Sequence, residues 1–459
     1  MDGSVARRVF GGVRANAFNQ FVSILVQLVG VPVLLLSWGA QQYGEWLVLF
    51  AIPAYLGMTD LGFSQSAGND MTAKVGRGDK DGAVVVFQSL IALVYPVSVL
   101  AIAIAGVLSL VVPLAQWLSF VALDDGAARW VLWLFVVEVC FQLVNASTHA
   151  AYKASGEYAL HVQLNASTRL LQHASVWAIA LVGASPLLAA AAFCSLRVLA
   201  TLGCLLLVRQ RQAWLSIGFA KARLTELRRL LAPALANIAV PIAQALNIQG
   251  MVLVVATVLG PPAVVVFSTI RTLTRIALQV VRAISGAVEP EMARAWGASD
   301  LPLVRKLFLH AVRASLWLSG ALVAGLAVFG ELILSLWTRG EVAMHAVLFA
   351  CLLASAVAST LWYSPLFLLR AANRHMASAV AAVLGAAAAL VMAYLGLTST
   401  GHIAVAGQAL LVADLAVAVF TLMAGCRLLG LRLADLSVVL SPVPLIDYFR
   451  RRVRHAAAS

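Results

Sequence analysis

Residues 263–288 read AVVVFSTIRTLTRIALQVVRAISGAV, an apolar run long enough to cross a bilayer as one helix. The run carries three arginines, Arg271, Arg275 and Arg282. With about 100° of rotation per residue, Arg275 lies about 40° and Arg282 about 20° from Arg271, so all three project from one face. An arginine in the middle of a spanning helix costs about 3 kcal/mol on insertion scales. The stripe therefore predicts a hydrated, protein-walled cavity in which these arginines hold an anion.

The composition of the whole chain agrees with a membrane location for this run. Of 459 residues, 62% are hydrophobic and 11% are charged, and the mean hydropathy is +0.94. A soluble domain of this size has too little interior to bury so much apolar surface. Apolar segments of about 20 residues recur along nearly the whole length, and each is sufficient for a spanning helix. We therefore predict an all-α polytopic membrane protein.

The positions of the basic residues predict the topology. With the N-terminus inside, the inner segments hold 24 of the 32 Lys and Arg residues, the outer loops hold two and the spans hold six. This asymmetry places both termini in the cytoplasm and explains the net charge of +13 without a nucleic-acid partner. The twelve predicted spans are 16–37, 45–66, 84–113, 129–151, 161–182, 187–208, 230–258, 263–288, 308–337, 345–369, 377–398 and 403–424.

The two halves of the chain resemble each other when one is shifted by 221 positions. The aligned identities are Asn16 with Asn237, Gly39 with Gly260, Met71 with Met292, Gly76 with Gly297, Asp79 with Asp300 and Phe87 with Phe308. Six spans per half give both halves the same orientation, as in carriers built from parallel repeats with a cavity between two bundles. We predict bundles at 1–208 and 230–424, an amphipathic, helical cytoplasmic linker at 209–229, and a basic tail at 425–459 that binds anionic lipid.

Amide side chains follow helical spacing in the first span of each half. Asn16 and Gln20 lie in the first span, and Asn237 lies in the seventh. Amides at membrane depth either join helices by hydrogen bonds or face water. Both interpretations stay open, and the second makes these residues part of the cavity lining.

A second cationic face runs along the fifth span, where Arg169 and His173 share helical spacing with Asn165 and Gln172. Arg169 lies too deep to reach the inner surface, so it either lines the cavity opposite the arginine stripe or forms a buried ion pair. In the sixth span, Arg197 is better explained by pairing with an acid. Arg313 is close enough to the inner end of its span to reach the surface by extending its side chain, and we assign it no role.

Three acidic residues, Asp60, Glu138 and Asp414, lie deep in predicted spans. Three acids cannot neutralise the five deep arginines, and this surplus favours an anion-binding cavity. Each acid is also a candidate site for a coupling ion, H⁺ or Na⁺. For Asp60 a purely structural role at the end of the second span is an alternative.

The chain shows no motif of an enzyme. The histidines are scattered, the five cysteines form no metal-ligand pair, and no catalytic or nucleotide-binding spacing occurs. We therefore expect neither catalytic residues nor a cofactor or metal. Transport would then be driven by an ion gradient, the membrane potential or the substrate gradient.

The N-terminal part of the chain is similar to a known family. The similarity is carried by Tyr43-Gly44-Glu45-Trp46, Ile52-Pro53-Ala54-Tyr55-Leu56, Asp60-Leu61-Gly62-Phe63 and Gly76-Arg77-Gly78-Asp79. Over roughly the first 90 residues the chain resembles the polysaccharide-type flippases, which translocate O-antigen and exopolysaccharide repeat units, in the multidrug/oligosaccharidyl-lipid/polysaccharide exporter (MOP) superfamily.

This resemblance implies a lipid-linked oligosaccharide, carried on polyprenyl pyrophosphate and moved from the inner to the outer leaflet of a bacterial inner membrane. It also implies a V-shaped pair of six-helix bundles around a cationic cavity, with a glycan polymerase and export machinery as possible partners. Two alternatives remain open. One is a multidrug or metabolite antiporter of the same superfamily, and the other is a membrane glycan polymerase or ligase.

Overall fold

The computed structural model describes residues 3–57, 61–372, 374–432 and 437. Within this part of the chain all regular secondary structure is helical, which confirms the all-α prediction. The helices are α1 (Gly3–Gly57), α2 (Leu61–Gly76), α3 (Lys80–Val111), α4 (Leu114–Trp117), α5 (Asp125–Ala154), α6 (Tyr158–Leu181), α7 (Pro186–Arg211), α8 (Leu224–Ala245), a π-helical turn (Leu246–Gly250), α9 (Met251–Leu259), α10 (Pro261–Thr274), α11 (Ile276–Gly297), α12 (Leu301–Thr338), α13 (Ala346–Ala371), α14 (Met376–Thr400) and α15 (Ala404–Leu429).

Nine helical stretches among the described residues are long and apolar enough to cross a membrane. The chain is therefore a multi-pass membrane protein. The stretch Arg14–Gly57 counts once in this set, although its backbone breaks at Gly39. The helices α6, α10 and α11, which carry Arg169, Arg271 and Arg282, are not in the set. The count of twelve spans and the cytoplasmic location of the termini stay predictions.

Two glycines that the internal alignment pairs adopt the same unusual backbone conformation. Gly39 breaks α1 with φ 72° and ψ 172°, and Gly260 ends α9 with φ 84° and ψ 170°. Glycine adopts this conformation readily because it has no Cβ. The matching geometry supports the descent of the two halves from one repeat.

The turns before α3 and α12 also match. Asp79 caps α3 by accepting a hydrogen bond from the backbone N–H of Gly82, and Asp300 caps α12 in the same way through Leu303. The two caps have nearly identical dihedral angles, with φ −81° and ψ 73° at Asp79 and φ −84° and ψ 73° at Asp300. Each aspartate side chain satisfies one of the free N–H groups in the first turn of its helix.

A buried methionine and a buried phenylalanine flank each of these turns. Met71 and Phe87 are fully buried in one core cluster, and Met292 and Phe308 are buried in another. In both halves the methionine belongs to the helix before the turn and the phenylalanine to the helix after it. The capped turn and its methionine–phenylalanine support therefore recur as a unit.

The linker differs from the prediction in one respect. Residues 212–223 contain no helix, so the predicted helical linker is wrong there. The Gln88 side chain of α3 donates to Ser216 O at 3.1 Å and accepts from the Lys221 N–H at 2.6 Å. Ser89 accepts from the Arg223 N–H at 2.9 Å. These side chains satisfy backbone groups that a helix would otherwise pair internally.

The chain divides into two compact units, Met1–Val265 and Val266–Ser459. The first, unit 1, contains α1 to α9, and the second, unit 2, contains α11 to α15 with most of α10. In unit 2, α13 packs against α11, α12 and α15. The bundle, linker and tail boundaries predicted from the repeat stay predictions.

Candidate functional site

The arginine stripe spans a break between two helices of the chain. Arg271 lies in α10, Arg275 at the junction and Arg282 in α11, so the prediction of one uninterrupted helix over 263–288 is wrong. Arg271 O accepts both the Arg275 N–H and the Thr274 hydroxyl, each at 3.0 Å. Gln279 N–H in turn donates to Arg275 O at 3.2 Å, so helical hydrogen bonds continue on both sides of the junction.

Arg282 is fixed against α13 by one tyrosine. Its guanidinium carbon lies 4.7 Å from the centroid of the Tyr363 ring, and its Nη2 donates to the Tyr363 hydroxyl. Tyr363 is buried and stacks on Trp362 at a centroid distance of 4.0 Å. Among the described residues no acceptor bonds the buried Nε of Arg282. The guanidinium is therefore held in one orientation with part of its hydrogen-bonding capacity unused.

The three arginines interact with one another and with a single acid of unit 2. Arg275 interacts electrostatically with Arg271, Arg282 and Asp414, and Arg271 also interacts with Asp414. Among the described residues, no carboxylate oxygen lies within 4.0 Å of Arg275 or Arg282. Counted over the described residues, three guanidinium groups against one carboxylate leave an excess of two positive charges in this cluster.

Asp414 is held by neutral donors of α13. The Ser355 hydroxyl donates to one carboxylate oxygen, and Trp362 Nε1 donates to the other at 3.3 Å. These bonds fix the carboxylate on α15 and leave its negative charge to act on the arginines at longer range. As a candidate coupling site, Asp414 stays a prediction.

Sequence reasoning missed the part that α13 plays in this cluster. Ser355, Trp362 and Tyr363 all bond members of the cluster, and none was singled out. A signal was present, because Ser355, Ser359 and Tyr363 follow one another at i, i+4 spacing in an apolar span. We define the unit 2 arginine cluster by the following residues: Arg271, Arg275, Arg282, Tyr363 and Asp414.

Arg169 of unit 1 is bound to backbone and amide groups. Its Nη2 donates to Asn19 O at 2.9 Å and to Asn19 Oδ1 at 3.0 Å, which ties α6 to α1. Its Nε is buried, and no acceptor among the described residues bonds it. The ion pair considered for Arg169 is absent from the described part of the chain. Its role as a cavity residue stays a prediction.

The other predicted residues of unit 1 are dispersed. Asn16 is exposed and accepts a hydrogen bond from Tyr158 at 3.3 Å, and Gln20 is exposed. His173 packs edge-on against Phe193 at 5.4 Å between ring centroids. Asp60 and the side chain of Asn237 lie outside the described residues.

Glu138 and Arg197 form a buried ion pair, as expected for Arg197. Arg197 Nε donates to Glu138 Oε1 at 3.0 Å, and both side chains are about 5% exposed. Gln172 accepts from Arg197 Nη2 at 2.8 Å and donates to Glu138 at 3.2 Å. This pairing counts against Glu138 as a separate cation site. Arg313 is 4% exposed, so the prediction that it reaches the surface is wrong.

The chemistry available therefore differs between the two units. In unit 1 the arginines are matched by a carboxylate or by carbonyl oxygens. In unit 2 the arginine cluster keeps a positive excess, and it offers planar donor groups that suit carboxylate or phosphate oxygens. The unit 2 arginine cluster is the better candidate for binding an anion.

Comparison with known proteins identifies the fold. No family model matches the sequence, and no curated protein matches it. A multidrug resistance MATE family transporter of the MOP superfamily, in an inward-facing conformation, matches with a TM-score of 0.72 at 15% identity, over 88% of this chain and 94% of that one. The lipid II flippase MurJ, in an inward closed conformation, matches with a TM-score of 0.65 at 12% identity, over 92% of this chain and 89% of that one.

A third similar structure is a MOP superfamily transporter from Pyrococcus furiosus, described as having a binding pocket of reverse polarity. Its TM-score is 0.57 at 15% identity, over 92% of this chain and 95% of that one. Likeness at such identities shows the fold and leaves the substrate open. The chain has the fold of the MATE and MurJ transporters of the MOP superfamily.

Proposed function

We propose that this protein is a flippase that moves an oligosaccharide, linked to polyprenyl pyrophosphate, from the inner to the outer leaflet of a bacterial inner membrane. The MATE- and MurJ-like fold supports a transporter or flippase. The choice of substrate depends on the unit 2 arginine cluster, and the motion would be alternating access, as in other two-bundle carriers.

The observation that carries this proposal is the excess of arginine over carboxylate in unit 2. A pyrophosphate group is a compact polyanion, and guanidinium groups bind phosphate oxygens with paired, charge-assisted hydrogen bonds. Arg282 already has a fixed orientation on Tyr363, so its side chain loses less conformational entropy when a ligand binds. We assign the headgroup to Arg271, Arg275 and Arg282.

A multidrug or metabolite antiporter is the second candidate. The fold supports it equally. An exporter of organic cations, however, requires an excess of carboxylate in its binding site, whereas the described cluster contains one carboxylate and three guanidinium groups. An anionic metabolite would fit the cluster, so the size and lipid anchor of the substrate must be tested separately.

The test is binding of polyprenyl pyrophosphate to the full-length protein in lipid nanodiscs, beside Arg275→Gln and the control Arg294→Gln. Arg294 lies on α11, the helix that follows Arg275, is exposed and pairs with Glu291 at 2.6 Å. A hydrogen bond to a charged group contributes about 1.5–3 kcal/mol, so we expect Arg275→Gln to weaken binding about 10- to 100-fold. Arg294→Gln should leave binding unchanged.

Two outcomes would contradict the proposal. In one, Arg275→Gln binds polyprenyl pyrophosphate as tightly as the unmodified protein does. In the other, a lipophilic organic cation binds the unmodified protein and Arg275→Gln with equal affinity, and no phosphate lipid displaces it. The second result would favour the multidrug transporter.

A further inference from the structure

Two histidines of unit 1 meet inside the bundle and have no part in the proposed headgroup site. His149 of α5 and His161 of α6 approach with their Nδ1 atoms 3.1 Å apart. His161 is 2% exposed and His149 is half-buried. A contact of this length between two ring nitrogens is a hydrogen bond, so one nitrogen carries a proton and the other a lone pair.

A chain of hydrogen bonds leads to this pair from Arg197. Arg197 Nη1 donates to Asn165 Oδ1 at 3.0 Å. Since a guanidinium cannot accept, that atom of Asn165 must be the amide oxygen, and Asn145 Nδ2 donates to it at 3.2 Å. The orientation of Asn145 leaves its own amide oxygen facing Thr148, at 3.3 Å. Arg197 thus fixes the orientation of both amides.

The hydrogen bonds of Thr148 determine which nitrogen of His161 carries the proton. The Thr148 hydroxyl donates its single proton to an oxygen of Asn145, of which the backbone carbonyl is nearest at 2.7 Å. Its remaining contact, 3.2 Å to His161 Nε2, therefore requires the histidine to donate. With its proton on Nε2, neutral His161 must accept at Nδ1, and His149 Nδ1–H is the donor.

This tautomer leaves the lone pair of His149 on Nε2. His149 is half-buried, and we infer that water reaches this nitrogen and delivers a proton to it without rearranging the pair. The product is an imidazolium of His149 that donates from Nδ1 to His161. We propose that His149 and His161 form a binding site for one proton, through which a pH gradient acts on this transporter. The transport consequence, unlike proton binding itself, rests on the proposed function.

The charged neighbours of the pair limit it to a single proton. Lys153 of α5 acts on His149, and Arg197 of α7 acts on His161. Lys153 is itself held by Asn69 of α2, at 2.6 Å. Both charged neighbours are positive, and the described carboxylate nearest in the network, Glu138, is already matched by Arg197. A second proton on the pair would face these charges in a buried site.

The Glu157 carboxylate, one turn before His161 at the start of α6, acts on Tyr152 and pairs with Arg211 at 3.5 Å. Two tyrosines contact the histidine pair itself. The Tyr158 ring of α6 lies 5.4 Å from His149, and the Tyr152 ring of α5 lies 5.3 Å from His161, measured between centroids. Tyr158 donates to Asn16 of α1, and Tyr152 donates to Cys204 O of α7. Neither tyrosine offers a negative charge that would stabilise an imidazolium.

Burial and the two cations therefore disfavour the protonated pair in this conformation. A conformation that hydrates the histidines, or moves them from Lys153 and Arg197, binds the proton more tightly. By linkage, acid shifts the population toward that second conformation. The proton acts as a ligand that drives the protein out of the arrangement described here.

The first test is solid-state NMR of the full-length protein in lipid vesicles, with ¹⁵N-labelled histidine. A ¹⁵N–¹⁵N correlation across 3.1 Å identifies the pair without substitution. We expect neutral rings at about pH 8, with the proton on Nε2 of His161 and Nδ1 of His149, and uptake of one proton shared by both rings as the sample is acidified. Independent titration of the two rings, the opposite tautomer, or rings that stay neutral until the protein unfolds would each overturn the proposal.

The second test separates the proton site from the substrate. Lipid-linked glycan movement is measured in vesicles with and without an imposed pH gradient, for the unmodified protein, His161→Gln and His310→Gln. His310 is an exposed histidine of α12 and serves as the control. We expect the gradient to stimulate the unmodified protein and His310→Gln, and to leave His161→Gln at its unstimulated rate. Equal stimulation of His161→Gln would overturn the coupling, and absence of movement in all three would contradict the flippase while the NMR titration still decides the proton site.

Discussion

The arginines within the membrane differ in what holds them. Arg197 pairs with Glu138, Arg169 bonds to Asn19, and Arg282 lies on Tyr363. Sequence position predicted that each of these arginines lies within a span. It could not identify their partners, because each partner is on another helix; Glu138 and Arg197 are 59 residues apart. Pairing is decided by tertiary contacts that helical periodicity does not encode.

We expect Tyr363→Phe to weaken binding of polyprenyl pyrophosphate several-fold. The substitution keeps the ring under Arg282 and removes the hydroxyl that accepts its hydrogen bond, which contributes about 0.5–1.5 kcal/mol. Affinity in nanodiscs is the measurement, and Tyr394→Phe, at an exposed tyrosine of α14, is the control. Unchanged affinity in Tyr363→Phe would show that the hydroxyl has no part in orienting Arg282.

The buried pair of unit 1 should be structural. Glu138→Leu leaves Arg197 buried without its counter-charge, and we expect it to lower the free energy of unfolding by about 3–5 kcal/mol. The double variant Glu138→Leu/Arg197→Met should lose less than Glu138→Leu alone, since it leaves no unmatched charge. Thermal denaturation in detergent measures both.

The control for this pair is Arg211→Gln, which breaks an exposed ion pair with Glu157 and should cost less than about 1 kcal/mol. If Glu138→Leu were as stable as the unmodified protein, the carboxylate would be available for ion coupling after all.

Helices followed the apolar periodicity of the sequence, whereas the non-helical linker depended on two side chains. The linker over 212–223 is held by Gln88 and Ser89, more than 120 positions earlier. An amphipathic pattern predicted a helix in the linker. It could not reveal that side chains of α3 occupy the backbone groups from which a helix would be built.

Gln88→Leu should expose the linker to protease. It removes the hydrogen bonds to Ser216 and Lys221 while filling the same buried space. With about 1 kcal/mol for each lost bond, we expect trypsin to cleave after Lys221 or Arg223 at least about tenfold faster. Ser109→Ala, which removes a hydroxyl bonded only within α3, is the control. Equal cleavage of Gln88→Leu and the unmodified protein would mean that the linker is held by other contacts.

The two capped turns provide a pair of opposite substitutions. Gly78 has φ 83°, and the matched position is Ser299, with φ 59°. A left-handed conformation costs a residue with a Cβ about 1–2 kcal/mol, partly offset by the greater chain entropy of unfolded glycine. We therefore expect Ser299→Gly to raise the unfolding free energy by about 0.5–1 kcal/mol and Gly78→Ser to lower it by a similar amount. The same sign for both substitutions in thermal denaturation would contradict the equivalence of the turns.

At the scale of the whole molecule, composition was sufficient for the fold class, and the repeat predicted matched turns in the two halves. The glycines at 39 and 260 and the aspartate caps at 79 and 300 were visible as identities in the sequence, and their backbone angles agree closely in the structure. No family model or curated protein matches the chain, yet the fold matches MATE and MurJ transporters over most of its length. Packing constraints in a membrane preserve helix order and turns after sequence identity has fallen to 12–15%.

Substrate choice depends on the charge balance of a few side chains, which fold similarity does not determine. For this reason the MATE and MurJ likeness shows the fold, while the proposed anionic headgroup depends on the arginine excess of unit 2. The two lines of evidence are independent, and an experiment can contradict either one alone.

The most direct measurement is movement of a fluorescent glycan on polyprenyl pyrophosphate across vesicles that contain the purified protein. The fraction that reaches the far leaflet is read by an impermeant quencher. We predict movement with the unmodified protein and Arg294→Gln, and loss of movement with Arg275→Gln at equal protein content. Undiminished movement with Arg275→Gln would contradict the assignment of the pyrophosphate to the unit 2 arginine cluster.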